Sequence, residues 1–175
     1  MITRLFEKLD HWAESRAVDK HIIVKIFLAA LGARLLLIFM HYHVNLISDM
    51  LGYHEAAISL LNYGEFRVKG RLSATRPPLY SIYLFMVYYL FGEGNLFVVR
   101  ISQCVMDAFT VAITFKLTEK VFHRKAAVWA ALLYAFYPAV IGFCDQILTE
   151  TFFTFLFMAT MYLLIDMPES RYKTV

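Results

Sequence analysis

Charge is scarce in this chain of 175 residues: 18% are Asp, Glu, Lys or Arg, against about 25% in an average soluble domain. Cysteine is scarcer still, and two residues do not make a disulfide scaffold. No repeat, low-complexity tract or interdomain linker divides the sequence, so one domain is the economical organisation. The net charge of +3 is small and split among local clusters, which excludes a nucleic-acid surface. Apolar residues fill the space left over: 60% of the chain, with 17% aromatic and a mean hydropathy of +0.58. A soluble globule of this size buries only about 70% of its surface. This much Phe, Leu, Ile and Tyr would leave large apolar patches in water, so soluble and disordered classes are both excluded.

Crossing a hydrocarbon core takes about 20 apolar residues at about 1.5 Å each. Four stretches qualify, at 22–47, 96–115, 126–143 and 152–167. A fifth apolar run, 79–91, is too short to cross comfortably and reads as a helix lying in the interface. The sequence therefore predicts an all-α integral membrane protein with four transmembrane helices and interfacial helices in its first external loop. Basic residues in short cytoplasmic loops support this topology. With the N-terminus inside, the inner segments hold Arg4, Lys8, Arg16 and Lys20, then Lys116, Lys120, Arg124 and Lys125 in 116–125, then Arg171 and Lys173 in the tail at 168–175. A fifth crossing would invert that pattern. Residues 1–21 alternate charge with Ile2, Leu5, Phe6, Leu9, Trp12 and Ala13, the spacing of an amphipathic helix and not of a cleavable signal.

The outer segments are 48–95 and the turn 144–151. Ser48 suits the N-cap of a helix that continues to a stop at Asn62–Gly64. A cationic turn follows with Arg67, Lys69, Arg71 and Arg76, then Pro77 and Pro78 open the 79–91 helix, which Gly92 and Gly94 end. Basic residues on an outer face depart from the positive-inside pattern and need a reason. Near mid-membrane, Arg34 and Asp107 lie on spans that run in opposite directions. An isolated charge there costs several kcal/mol, so the structural reading is an ion pair that fixes helix register, and the functional one is translocation.

The runs SDMLGYHEAAISLLNYG, RPPLYSIYLFMVYYLFGEG, VRI, KLTEKVFHRKAA and YPAVIGFCDQILTETFFTFL, in this order and on these sides of the membrane, resemble the N-terminal module of GT-C glycosyltransferases. That superfamily uses polyprenyl-phosphate sugars and includes protein O-mannosyltransferases and lipid A aminoarabinose transferases. The resemblance spans about residues 22–165 and implies further helices beyond Val175, hence a truncated, split or fragmentary enzyme, with a second subunit as one way to complete the bundle. It implies Asp49 as the acid in the first external loop, acting as general base on an acceptor hydroxyl. Arg76, before the double proline, and Arg100, at the start of the second span, match cations that neutralise the leaving lipid phosphate. Glu150 matches a second acidic position that orients the base, binds acceptor or helps hold a divalent metal, with Asp145 as its competitor.

Each residue also has a plainer reading. Asp49 and Glu150 suit helix N-termini, and Arg76 and Arg100 suit lipid headgroups. His41 and His43 stand two residues apart, so on a helix they point about 200° apart and do not form a joint site. Cys104 and Cys144 read as free thiols or as one disulfide. A non-catalytic binding or assembly module and a lipid-linked sugar transporter are the alternatives to an enzyme. The transporter fits less well, because a through-path gathers polar residues near the midplane and only Arg34 and Asp107 lie there. The implied setting is a bacterial or archaeal cell membrane rather than the endoplasmic reticulum, with the active side extracytoplasmic and membrane lipid all around.

Topology is directly testable. An impermeant thiol reagent applied to intact cells should label Gly70→Cys and spare His123→Cys; the reverse pattern contradicts four spans with both ends inside.

Overall fold

A computed structural model describes Trp12 and residues 19–41, 45–72 and 76–166. The amphipathic helix expected over 1–21 and the tail at 168–175 lie outside the described residues, apart from Trp12, which stands 6.2 Å from the Trp129 ring, and residues 19–21. The described elements are α1 (Ile22–Met40), α2 (Asp49–Tyr63), β1 (Arg67–Val68), β2 (Arg71–Leu72), α3 (Pro78–Phe91), α4 (Leu96–Val121), α5 (Arg124–Ala135), α6 (Pro138–Phe143) and α7 (Thr149–Asp166). Of these, α1, α4 and α7 are long and apolar enough to cross a membrane, and α3 is a shorter apolar helix.

The stretch 126–143, expected as one span, is instead two helices broken at Phe136 and Tyr137. Pro138 is the cause, since its ring displaces the preceding turn and it has no N–H to donate. Three other elements differ from the sequence reading. Helix α1 stops at Met40, so 45–47 are not helical. Helix α4 runs to Val121, deep into the basic 116–125 segment. Helix α7 begins at Thr149, which puts Glu150 in its first turn.

Helix α4 is the centre of the bundle, packed by α1, α5 and α7. On α1 the buried positions are Ile22, Ile26, Ala30, Arg34 and Ile38, a strict four-residue stripe, while Val24, Leu28, Leu36 and Phe39 point outward. That division follows from helix geometry. At the Ile22 end, the stripe meets Val111 and Phe115 of α4 and the small residues Ala127, Ala131 and Ala135 of α5. Small side chains permit close helix approach, which is what packs helices when the surroundings are as apolar as the interface.

One turn further along α1, the core turns polar. Arg34, with no exposed side-chain surface, donates from Nε to the Asp107 carboxylate. Its Nη1 donates to the carbonyls of Ala30 and Ala135, each at 2.9 Å, and the Tyr134 hydroxyl donates to the other Asp107 oxygen at 2.8 Å. Ala135 is the last residue of α5, so its carbonyl has lost its intrahelical partner, which at i+4 would be the Ala139 amide beyond the break. Arg34 therefore closes the break in the third stretch while it neutralises Asp107.

Beyond this layer, α2 lies on α3 and both rest on the Leu96 end of α4. Tyr53 meets Tyr80 edge to face at 5.2 Å, and Tyr88 bonds the His54 Nδ1 through its hydroxyl at 2.9 Å. Gly64, with φ of +70°, ends α2 in the left-handed conformation that glycine adopts without strain. Ser48 does not act as the expected side-chain cap. Its φ is +47°, and its hydroxyl turns to the Asp49 carboxylate at 3.4 Å instead of to the helix amides.

Removing one charge of the central pair is expected to cost about 3–5 kcal/mol, the price of a lone buried ion. Denaturation in detergent should show Asp107→Leu and Arg34→Met each strongly destabilised and the double variant partly recovered. Recovery should stay partial, because Ala135 loses its donor. A double variant as unstable as the sum of the singles contradicts the pairing.

Candidate active site

The first turn of α2 brings three positions onto one face: Asp49, Gly52 and Tyr53, at i, i+3 and i+4. Arg76 reaches that face from the segment before Pro77. Its Nη2 donates to Asp49 Oδ1 at 2.7 Å, and its guanidinium lies over the Tyr53 ring at 4.9 Å. The Asp49 side chain is 60% exposed and that of Arg76 29%. Hydrogen bonding from Arg76, and then its charge, hold the Asp49 carboxyl below the ordinary carboxylate range. Asp49 raises the Arg76 guanidinium in turn.

Beside this pair is a cavity of about 800 Å³. Ser48, Gly52 and Glu55 of the α2 segment line it together with Lys69, Arg71 and Arg76. The hairpin β1–β2 supplies Lys69 and Arg71, pairing Arg67 with Leu72 and Val68 with Arg71. Its two-residue turn, Lys69 and Gly70, has φ of +52° and +73°, the twist that closes a tight hairpin. Glu55 anchors the turn by accepting from the Lys69 amide at 2.9 Å. Arg67 is paired with Glu65, at 2.6 Å. Lys69 and Arg71 have no carboxylate ion-pair partner among the described residues, so the cavity presents net positive charge.

The other candidate residues lie elsewhere. Arg100 is almost wholly buried and donates from Nη2 to the Asp145 carboxylate and to the His41 backbone carbonyl, which α1 leaves unpaired at its end. Asp145 is thus the partner of Arg100, with His41 Nδ1 at 3.6 Å from its second oxygen. Glu150 lines a separate cavity of about 200 Å³ with Asp107, Tyr134, Phe143, Thr151 and Thr154. Asp49 and Arg76 form one locus, and Arg100 with Asp145 another. Ring contacts run from the first locus to the start of α7: Tyr53 meets Tyr80 edge to face, and Tyr80 meets Phe152, two residues after Glu150, at 5.9 Å. Cys104 and Cys144 are buried free thiols. Among the described residues no three His, Cys, Asp or Glu side chains converge to hold a metal ion, and no step below passes through one.

Gln103, Tyr80 and Tyr134 escaped the sequence reading. The Tyr80 hydroxyl donates to Gln103 Oε1 at 2.6 Å, and Gln103 Nε2 donates to the carbonyls of Cys144 and Gln146 at 3.1 and 2.8 Å. The signal was present as polar residues at 100, 103, 107, 110 and 114, helical spacing within an apolar stretch.

The model of the family described as dolichyl-phosphate-mannose-protein mannosyltransferase matches residues 75–173, more than half of the chain. The chain belongs to this family. The matched segment contains Arg76, Arg100, Asp107 and Glu150 and begins after Asp49. No curated protein and no solved structure matches the chain. Family membership and the three long apolar helices together make this mannosyltransferase-like module an integral membrane protein.

Proposed function

We propose that the chain is a membrane glycosyltransferase module that moves a sugar, mannose by the family's description, from a polyprenyl- or dolichyl-phosphate donor to an acceptor hydroxyl on the outer membrane face. The observation that carries this reading is the Asp49–Arg76 ion pair, whose guanidinium lines a cationic cavity. A carboxylate and a guanidinium side by side are the two groups that such a transfer needs. The acceptor oxygen attacks the anomeric carbon as its proton passes to Asp49. The bond from that carbon to the phosphate oxygen breaks, and its electron pair leaves with the lipid phosphate. Arg76, with Lys69 and Arg71 lining the same cavity, stabilises the departing charge.

In this reading α1, α4, the broken α5–α6 unit and α7 make four crossings. Helices α2 and α3 lie at the outer boundary, where a lipid phosphate sits at headgroup depth while its chain stays in the hydrocarbon. Arg100 and Glu150 are second contributors. Arg100 fixes the outer turn through its ion pair with Asp145. Glu150, in the first turn of α7, faces the smaller cavity and is the candidate for acceptor contact.

Transfer from polyprenyl-phosphate mannose in membranes tests the assignment. Asp49→Asn should lower kcat by about 10²–10⁴, the range of a general base, while donor binding persists. Arg76→Gln should raise KM and lower kcat/KM. Transfer undiminished in Asp49→Asn contradicts the assignment, as does a wild-type chain that neither binds donor nor transfers sugar.

A further inference from the structure

Arg76 is shared between two anions in the reading above, and its seat is unusual. A Cβ built on Gly52 would stand 2.7 Å from Arg76 Nε, closer than real side chains approach, and 3.3 Å from Cζ. The absence of a side chain at 52 is therefore what lets the guanidinium lie flat on α2, with Tyr53 on one side and Asp49 at its end. The same guanidinium borders the cavity, which Lys69 and Arg71 also line. We propose that Gly52 and Arg76 form a donor-sensing switch: the phosphate of the lipid donor competes with Asp49 for the guanidinium, and donor binding thereby turns the carboxylate into an effective base. Gly52 is the positioning residue and Arg76 the coupling one. The inference rests on the donor-site reading and adds to it an order of events, phosphate first and base second.

The physical argument has a definite sign. Asp49 faces Arg76 from the segment before Pro77 and Ser48 beside it, with Tyr53 on its own helix; Lys69 and Arg71 from the hairpin and Glu55 line the adjoining cavity. Arg76 is the group that holds its carboxyl low. A phosphate drawn to Arg76 weakens that hold and adds a negative charge nearby, and both effects favour the protonated form of Asp49. A stronger base results only when donor is present, which suppresses proton abstraction in its absence.

The test uses the whole chain in lipid nanodiscs, with the Asp49 carboxyl followed by carbon-13 NMR and assigned by its loss in Asp49→Asn. Farnesyl phosphate is the probe and inorganic phosphate the control. Saturating farnesyl phosphate should raise the Asp49 titration midpoint by about one unit or more, and inorganic phosphate at the same concentration should not. In Arg76→Gln the midpoint should start higher and no longer respond. Gly52→Ala keeps the charge but pushes the guanidinium off α2, so its midpoint should also start higher and respond less. Far-ultraviolet circular dichroism and an unchanged Asp107 signal confirm that each variant is folded. Farnesyl phosphate that binds and leaves the midpoint unmoved overturns the switch, as does an equal rise in Arg76→Gln. An equal response to inorganic phosphate overturns the lipid donor as its trigger. Failure of farnesyl phosphate to bind the wild-type chain overturns the donor-site reading itself.

Discussion

A guanidinium and a carboxylate in the middle of an apolar bundle must find each other, and the rest of this molecule is arranged around where they do. Arg34 and Asp107 lie on different helices and are fully buried, so neither is tolerable alone. Their contact fixes the rotation of α1 against α4. It also fixes α5, because Arg34 takes the Ala135 carbonyl that the break before Pro138 sets loose, and Tyr134 bonds the second Asp107 oxygen. The network is not complete, since Arg34 Nη2 is buried without a hydrogen-bond partner among the described residues. Its contribution lies in specifying one arrangement among helices whose outer faces are all equally greasy, more than in net stability.

Two further rungs repeat the device toward the Leu96 end of α4. Gln103 gathers Tyr80 of α3 and two carbonyls of the 144–146 turn, and Arg100 gathers Asp145 and the end of α1. Polar side chains on one face of α4, with Arg34, thus tie down the end of α1, the end of α5 and the 144–146 turn, whose backbone would otherwise be unpaired. The α2–α3 layer rests on this frame through Tyr53, Tyr80 and Phe152. With the frame rigid, the first turn of α2 can present Asp49, Gly52 and Tyr53 to a partner 27 residues away, and Arg76 completes the locus.

The membrane character, the long helices and the glycine stops were legible because they depend on local composition and spacing. Gly64 and Gly92 end their helices where the sequence places them. The break before Pro138 is equally local, but the unbroken apolar run around the proline has the length and composition of one span and masks it. The buried stripe of α1 was not legible at all: lipid-facing and core-facing positions are both apolar, so periodicity carries no signal. At the site, Asp49 and Arg76 were both named, yet their contact was not, since nothing local links residues on opposite sides of a hairpin. The same holds for Arg100 and Asp145. Glu150 was placed in a turn and lies in a helix, because Thr149 starts α7 three residues before the apolar run begins.

The central claim is that the cationic cavity beside Asp49 and Arg76 receives the phosphate of a lipid-linked sugar. Photocrosslinking reads it most directly: a polyprenyl-phosphate mannose analogue carrying a photoreactive group next to the phosphate is bound in nanodiscs, irradiated and mapped by mass spectrometry. Adducts within residues 48–76, competed by unmodified polyprenyl phosphate, are the result this account predicts. Adducts concentrated at the smaller cavity, over residues 138–154, with none on the hairpin or α2, would contradict it.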